Sequence, residues 1–172
     1  MQIIRFIGFL FLFHLVLFSN CSSPPTQIAE TQKLEKEEVR ERNWTMNPQC
    51  CNLSSEFLGV VVLDQICVSE TETKLKLHTK DWKRVCVLKE GMVFRDDIGT
   101  NYPFLKAEGV DLCPKRTKMK DQDFHLVFTS FSPTALSFDL IEDKNAKHAH
   151  KPWVFERVDL TKCEWKESTS NP

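Results

Sequence analysis

Seven cysteines, at positions 21, 50, 51, 67, 86, 113 and 163, constrain this 172-residue chain more than any other feature. A reducing cytosol leaves thiols at that density without bridges to form, whereas exported chains use them to restrict the unfolded state. Setting Cys21 aside leaves an even six, enough for three bridges, and six thiols admit 15 pairings among which sequence does not choose. The neighbours Cys50 and Cys51 are expected to reach different partners, because a bond between adjacent residues is strained. Their place ahead of the first expected strand suggests stapling of the entry segment to the body, with Cys163 at the exit as one partner. Zinc sites draw on close pairs such as C-x₂-C and redox sites on C-x-x-C beside a helix. Neither spacing occurs, so Cys50, Cys51, Cys67, Cys86, Cys113 and Cys163 are read as structural disulfides with no cofactor.

Cys21 stands apart because of what precedes it. Arg5 is the only charge before an apolar run from Phe6 to Phe18, the length of a signal-peptide core and too short to cross a roughly 30 Å hydrocarbon layer as a helix. The run ends at Leu17-Phe18-Ser19-Asn20-Cys21, followed by Ser22-Ser23-Pro24-Pro25, and this resembles the lipobox of bacterial lipoproteins. Asn20 stands where the common pattern has Gly or Ala, and bulky Phe18 holds the third position before the cysteine; relaxed boxes of this kind are similar to those of spirochaete lipoproteins. The resemblance implies cleavage before Cys21 and a diacylglycerol on its thiol. Together with acylation of the new N-terminus this gives the two or more chains that stable anchoring takes. An ordinary secretory leader cut nearby would leave Cys21 a spare thiol, and the even count of the other six favours the lipid.

The expected organisation is a leader over 1–20, a lipidated N-terminus and tether over 21–43, a β domain over 44–166 and a polar tail over 167–172. The tether begins with Ser, Pro and Thr and continues as the mixed-charge run Lys33 to Arg42, which cannot bury apolar surface. A short solvated helix there would gain only a few tenths of a kcal/mol from a pair such as Glu38 with Arg42. The formal net charge of -1 and pI of about 6.5 argue against a nucleic-acid partner, which calls for a basic excess.

From Trp44 onward the pattern is that of strands. Phe57 to Leu63 is an apolar, β-branched run expected to form a strand buried on both faces. Lys74-Leu75-Lys76-Leu77-His78-Thr79-Lys80 alternates strictly, giving one core face and one wet face. Further expected strands are Arg84–Leu88, Met92–Arg95, Tyr102–Lys106, Phe124–Phe128, Leu136–Ile141 and Trp153–Leu160, separated by turn chemistry such as Lys89-Glu90-Gly91 and Asp96-Asp97-Ile98-Gly99. Seven or eight short strands with no convincing amphipathic helix among them predict an antiparallel β-sandwich.

The series Phe94-Arg95-Asp96-Asp97-Ile98-Gly99 with Tyr102, then Glu108-Gly109-Val110, Phe124-His125-Leu126-Val127-Phe128, Phe138-Asp139-Leu140-Ile141-Glu142 and Trp153-Val154-Phe155 with Val158-Asp159-Leu160, resembles an immunoglobulin-like accessory β-sandwich of bacterial exported proteins. It covers roughly Phe57 to Leu160. Such domains sometimes precede a thioredoxin-like domain, which is not expected in this chain, and the resemblance implies no catalytic residues.

Three polar features are candidates for function. Lys115, Arg116, Lys118 and Lys120 form a basic run beside Cys113 which, held rigid by a disulfide, could contact sulfated glycans or other anionic surfaces; the bland alternative is a solvated loop. His148 and His150 could place two imidazoles on one side of a strand to bind a transition metal, with Asp143 or Glu142 nearby, although the surrounding lysines suit a polar turn better. Asp139 and Glu142 are better explained as part of a core strand than as an acid/base pair. Two glycosylation sequons, at Asn43 and Asn52, mean little in a bacterial exporter.

There is no Gly-x-Ser-x-Gly elbow, no phosphate-cradling loop and no His-Glu-x-x-His helix. The expectation is a non-catalytic binding or adhesion module at the cell envelope or surface, held by the lipid on Cys21 to a bacterial membrane, the outer in preference to the inner. Its partner would be an envelope or host protein or a glycan. The alternatives are a periplasmic structural or assembly factor that uses an exposed strand edge, and a metal-binding lipoprotein.

Overall fold

The computed structural model describes residues 42–80, 84–119, 122–147 and 151–168. Cys21, the leader, the tether up to residue 41, Lys120, His148 and His150 lie outside the described residues. Within them there is no helix. The strands are β1 (Gln49–Phe57), β2 (Val61–Val68), β3 (Glu72–Thr79), β4 (Arg84–Val85), β5 (Met92–Asp96), β6 (Phe104–Glu108), β7 (Thr117–Lys118), β8 (Asp123–Thr129), β9 (Ser137–Glu142), β10 (Val154–Asp159) and β11 (Lys166–Glu167). A six-stranded sheet runs β11-β1-β2-β3-β8-β6, a three-stranded sheet runs β10-β9-β5, and β4 with β7 makes a side ribbon. Every strand pair is antiparallel.

The chain is therefore the all-β, antiparallel, disulfide-stapled sandwich that its periodicity predicts, with eleven strands among the described residues instead of seven or eight. The additions are β1 and the two-residue β7 and β11, and the expected Arg84–Leu88 shrinks to the two-residue β4; segments of two residues are too short to carry a period. The two main sheets hold six and three strands, a division unlike the four and three of immunoglobulin constant-type domains.

Two expectations need correction at the first hairpin. Phe57 to Leu63 is not one strand: Phe57 ends β1, residues 58–60 turn, and Val61 starts β2. Leu58 and Gly59 both take positive φ, 48° and 69°, and Val60 N donates to Phe57 O at 3.0 Å, so an apolar run hides a tight turn. Cys50 and Cys51 do not precede the first strand but sit inside β1, whose polar sequence from Gln49 to Glu56 carries little hydrophobic signal.

Strict alternation does hold in β3, where Thr73, Leu75 and Leu77 are fully buried while Lys74, Lys76 and His78 face outward. In β8, Phe124, Leu126 and Phe128 supply the matching inward row. Phe94 on β5 is the hub opposite them, with ring centroids 4.7 Å from Phe128, 5.2 Å from Phe138, 5.3 Å from Phe131 and 5.4 Å from Tyr102. Phe124 meets Trp153 at 5.4 Å. Such offset and edge contacts add about 0.5–1.5 kcal/mol per pair beyond the burial of the rings.

Tyr102, the only tyrosine, carries its hydroxyl into this core with partners. It donates to Asp96 Oδ2 at 2.7 Å and accepts from Ser132 N at 3.0 Å, while Asp96 Oδ1 receives the N–H groups of Ile98 and Thr100. Burial first, and the Asp96 contact second, push the phenol up to about 12. The Asp96-to-Gly99 turn is thus tied to the core by the carboxylate that opens it.

The disulfides are Cys50–Cys67, Cys51–Cys163 and Cys86–Cys113. Adjacent Cys50 and Cys51 reach different partners because neighbours on a strand point to opposite faces. Cys51 is buried and Cys50 half-buried. Cys51–Cys163 joins the two ends of the domain, where Trp44 donates to Phe131 O at 2.7 Å and stands edge-on to Trp165 at 4.9 Å. Arg42 lies over the Trp165 ring and donates to Ala135 O at 2.6 Å.

The separations of 17, 27 and 112 residues correspond in the chain-entropy account to about 3, 3.5 and 5 kcal/mol. Urea unfolding should therefore rank the paired Cys→Ala variants, with loss of Cys51–Cys163 costing the most; a larger cost for Cys50–Cys67 would refute that order. Leu58 is 80% exposed at φ 48°, a conformation that costs a Cβ-bearing residue about 1–2 kcal/mol. Leu58→Gly should accordingly raise the urea midpoint by the equivalent of about 1 kcal/mol, and a lowered midpoint would show that the turn needs its side chain.

Candidate functional site

The core occupies one side of the six-stranded sheet, and alternation sends the other residues of each strand to the opposite side. Register arranges them in rows. One runs Cys50, Cys67, Lys74, Val127 and Lys106; the next runs Asn52, Gln65, Lys76, His125 and Glu108; a third runs Glu56, Val62, His78 and Asp123. Cross-strand neighbours of this kind stand close enough to interact directly.

The charges on this face are paired, along β6 for Lys106 with Glu108 and across strands for the others. Lys74 meets Glu108 at 3.0 Å, Lys106 meets Glu108 at 2.7 Å and Lys76 meets Asp123 at 2.7 Å, and Lys80 pairs with Glu56. The two lysines hold the Glu108 carboxyl down at about 2, Lys106 foremost. Beside them His125, between Lys76 and Glu108, is half-buried, and desolvation, then the Lys74 charge, lowers its pKa and favours the neutral ring. Val127 points outward yet is 0% exposed, enclosed on a face otherwise lined by lysine stems. Pro48, Gln65, Cys67, Lys74, Lys76 and His125 border a cleft of about 240 Å³ on this face.

At one end of the face a second group converges. His78 Nδ1 donates to Asp64 Oδ2 at 2.7 Å, and Asp123 is the cross-strand partner of His78. Each of Asp64, His78 and Asp123 offers one ligand atom within 4.8 Å of the others. Asp64 reaches the group because β2 carries a bulge between Leu63 and Gln65, the kind of extra residue that re-aims a side chain.

The residues singled out from sequence lie elsewhere. Cys86–Cys113 does brace the ribbon that carries Lys115, Arg116 and Lys118, where Val87 and Cys113 exchange backbone bonds with the neighbouring segment. Lys115, Arg116 and Lys118 are exposed, Lys115 pairs with Asp111 at 2.7 Å, and Met119 between Lys118 and Lys120 is buried in the core. Asp139 pairs with Arg95 at 2.7 Å and accepts from Arg157 N. Glu142, three residues on along β9, is buried and accepts from Leu88 N at 3.1 Å and Trp153 N at 3.2 Å. It clamps three segments and forms no pair with Asp139.

Sequence reasoning missed Asp64, Asp123, His125 and Glu108. Alternation in β3 places Lys74, Lys76 and His78 on one face, but only the register of β2, β8 and β6 shows what stands beside them. Comparison with known proteins finds no matching family model, curated protein or solved structure.

Burial lifts the Glu142 carboxyl from 4.5 to about 7, against the pull of its two N–H donors. The folded state therefore holds this proton more tightly than the unfolded chain, and stability should fall as pH rises from about 4.5 to 7 and then level off, by about 3 kcal/mol in all. In Glu142→Gln that slope should vanish from urea unfolding measured between pH 5 and 7. A slope as steep as that of the parent chain would place its origin in another group.

Proposed function

We propose that the chain is a membrane-anchored lipoprotein that works as a non-catalytic binding module at the cell envelope. The leader over 1–20 directs export, Cys21 carries the lipid, the segment 21–43 spaces the domain from the bilayer, and the outer face of the six-stranded sheet meets a protein or glycan partner. The three disulfides support this address, since they form and persist in oxidising compartments. The observation that carries the binding role is the cleft-bearing outer face itself. Its lysines, His125 and Glu108 are held in fixed cross-strand positions by ion pairs and partial burial. A partner meeting such a face loses little additional side-chain freedom, and charge complementarity then sets which partner docks.

A second reading, a periplasmic assembly factor, draws on the seam between the sheets. β11 covers only Gln49 and Cys50 of the β1 edge, and β1 beyond them borders a cleft of about 370 Å³ with the outer strand β10. Both strands are bulged there, at Leu53-Ser54 and Glu156-Arg157, which works against addition of a regular strand. The outer face is therefore preferred as the contact surface.

Wild-type protein should partition with detergent and Cys21→Ala with water, the mature N-terminus carrying acyl mass only in the former. Cosedimentation with purified envelope fractions should weaken about tenfold in Lys74→Glu/Lys76→Glu. Undiminished cosedimentation of that folded variant would move the binding surface elsewhere, and resistance to protease on intact cells would favour the periplasmic reading.

A further inference from the structure

We infer that Asp64, His78 and Asp123 form a binding site for one divalent transition-metal ion of the zinc class. The inference is independent of the partner-binding role.

The three side chains come from three adjacent strands, β2, β3 and β8, so the sheet fixes their spacing. Their ligand atoms lie within 4.8 Å of one another. Donors about 2.0–2.1 Å from a tetrahedral zinc stand about 3.3 Å apart, so the present spacing needs only small side-chain adjustments. Two carboxylates and one imidazole suit a borderline cation, with water completing the coordination as in open zinc sites.

Two observations distinguish the group from a chance encounter of surface charges. The bulge at Asp64 breaks the alternation of β2, so Asp64 meets His78 although neither is the other's register partner. The same bulge leaves Gln65 to bond Asn52 on the face. Carboxylates brought this close also repel unless a cation stands with them, and here the Lys76 ammonium, 2.7 Å from Asp123 Oδ2, supplies one. Lys76 thus holds the charge that a metal ion would bring and competes with it. His78 is half-exposed, as are Lys76 and both carboxylates, so an ion reaches the group without local unfolding.

That competition makes the site testable in both directions. Zinc titration of the full chain in detergent, disulfides intact, followed by calorimetry, should show one ion bound. His78→Ala and Asp64→Asn should each weaken binding at least about 100-fold, since changes in outer partners alone cost roughly 10–100-fold. Lys76→Gln should tighten it about fivefold, which a loss of folding cannot mimic. A variant lacking Cys21, His148 and His150 should bind as the parent does. The visible spectrum of the cobalt-loaded chain should respond to His78→Ala and not to that triple variant. Binding that survives His78→Ala, or that disappears with Cys21, His148 and His150, overturns the assignment; so does a Lys76→Gln variant that binds no more tightly than the parent.

Discussion

The ring of Phe94 from the narrow sheet, with Phe138 edge-on to it, meets Phe128 from the wide one, and Phe131 and Tyr102 close the group; this contact governs the rest of the structure. A one-residue slip in β8 would carry Phe124, Leu126 and Phe128 out of the core together. Burial of that row therefore holds β8 in register against β3, and β3 against β2. Once the inward rows are fixed the outward ones have no freedom left. Lys74, Val127 and Lys106 share a row because Thr73, Leu75, Leu77 and the phenylalanines must face the other way. The polar face is ordered by the apolar one.

The disulfides act where this core is thinnest. None crosses the aromatic hub: Cys51–Cys163 closes the ends, Cys50–Cys67 ties the first hairpin beside β11, and Cys86–Cys113 braces the side ribbon. Each lies next to an element of only two paired residues, β11 or the β4–β7 ribbon, which side-chain burial alone would stabilise weakly. The covalent links thus complement the core, and the long reach of Cys51–Cys163 makes the entry and exit segments part of one folded unit.

Polar burial follows the same division. Glu142 and Asp96 are both nearly excluded from water, at 4% exposure each; Glu142 accepts from two separate segments, and Asp96 from its own turn and Tyr102. They hold loops to the ends of the narrow sheet. The charges of the wide sheet remain half-exposed and paired with one another. The first arrangement serves architecture, and the second keeps a charged face in contact with solvent.

The β class, the antiparallel habit, six cysteines for three bridges and the wet face of β3 were legible in the chain, because a period of two and an even thiol count depend only on neighbours in sequence. The first hairpin was not, since Leu58 turns at a φ that its side chain disfavours and an apolar run shows no break. β1 was hidden because an edge strand, with Gln49 to Glu56 half in water, has no need of apolar alternation. The Asp64, His78 and Asp123 group was out of reach for a different reason: its members are 14 and 45 residues apart along the chain, and they meet only through register and a bulge. Local patterning therefore determined the kind of fold and which face of each strand is wet. The closing of the sheet determined which charges stand together, because proximity across strands is set by packing that no single strand encodes.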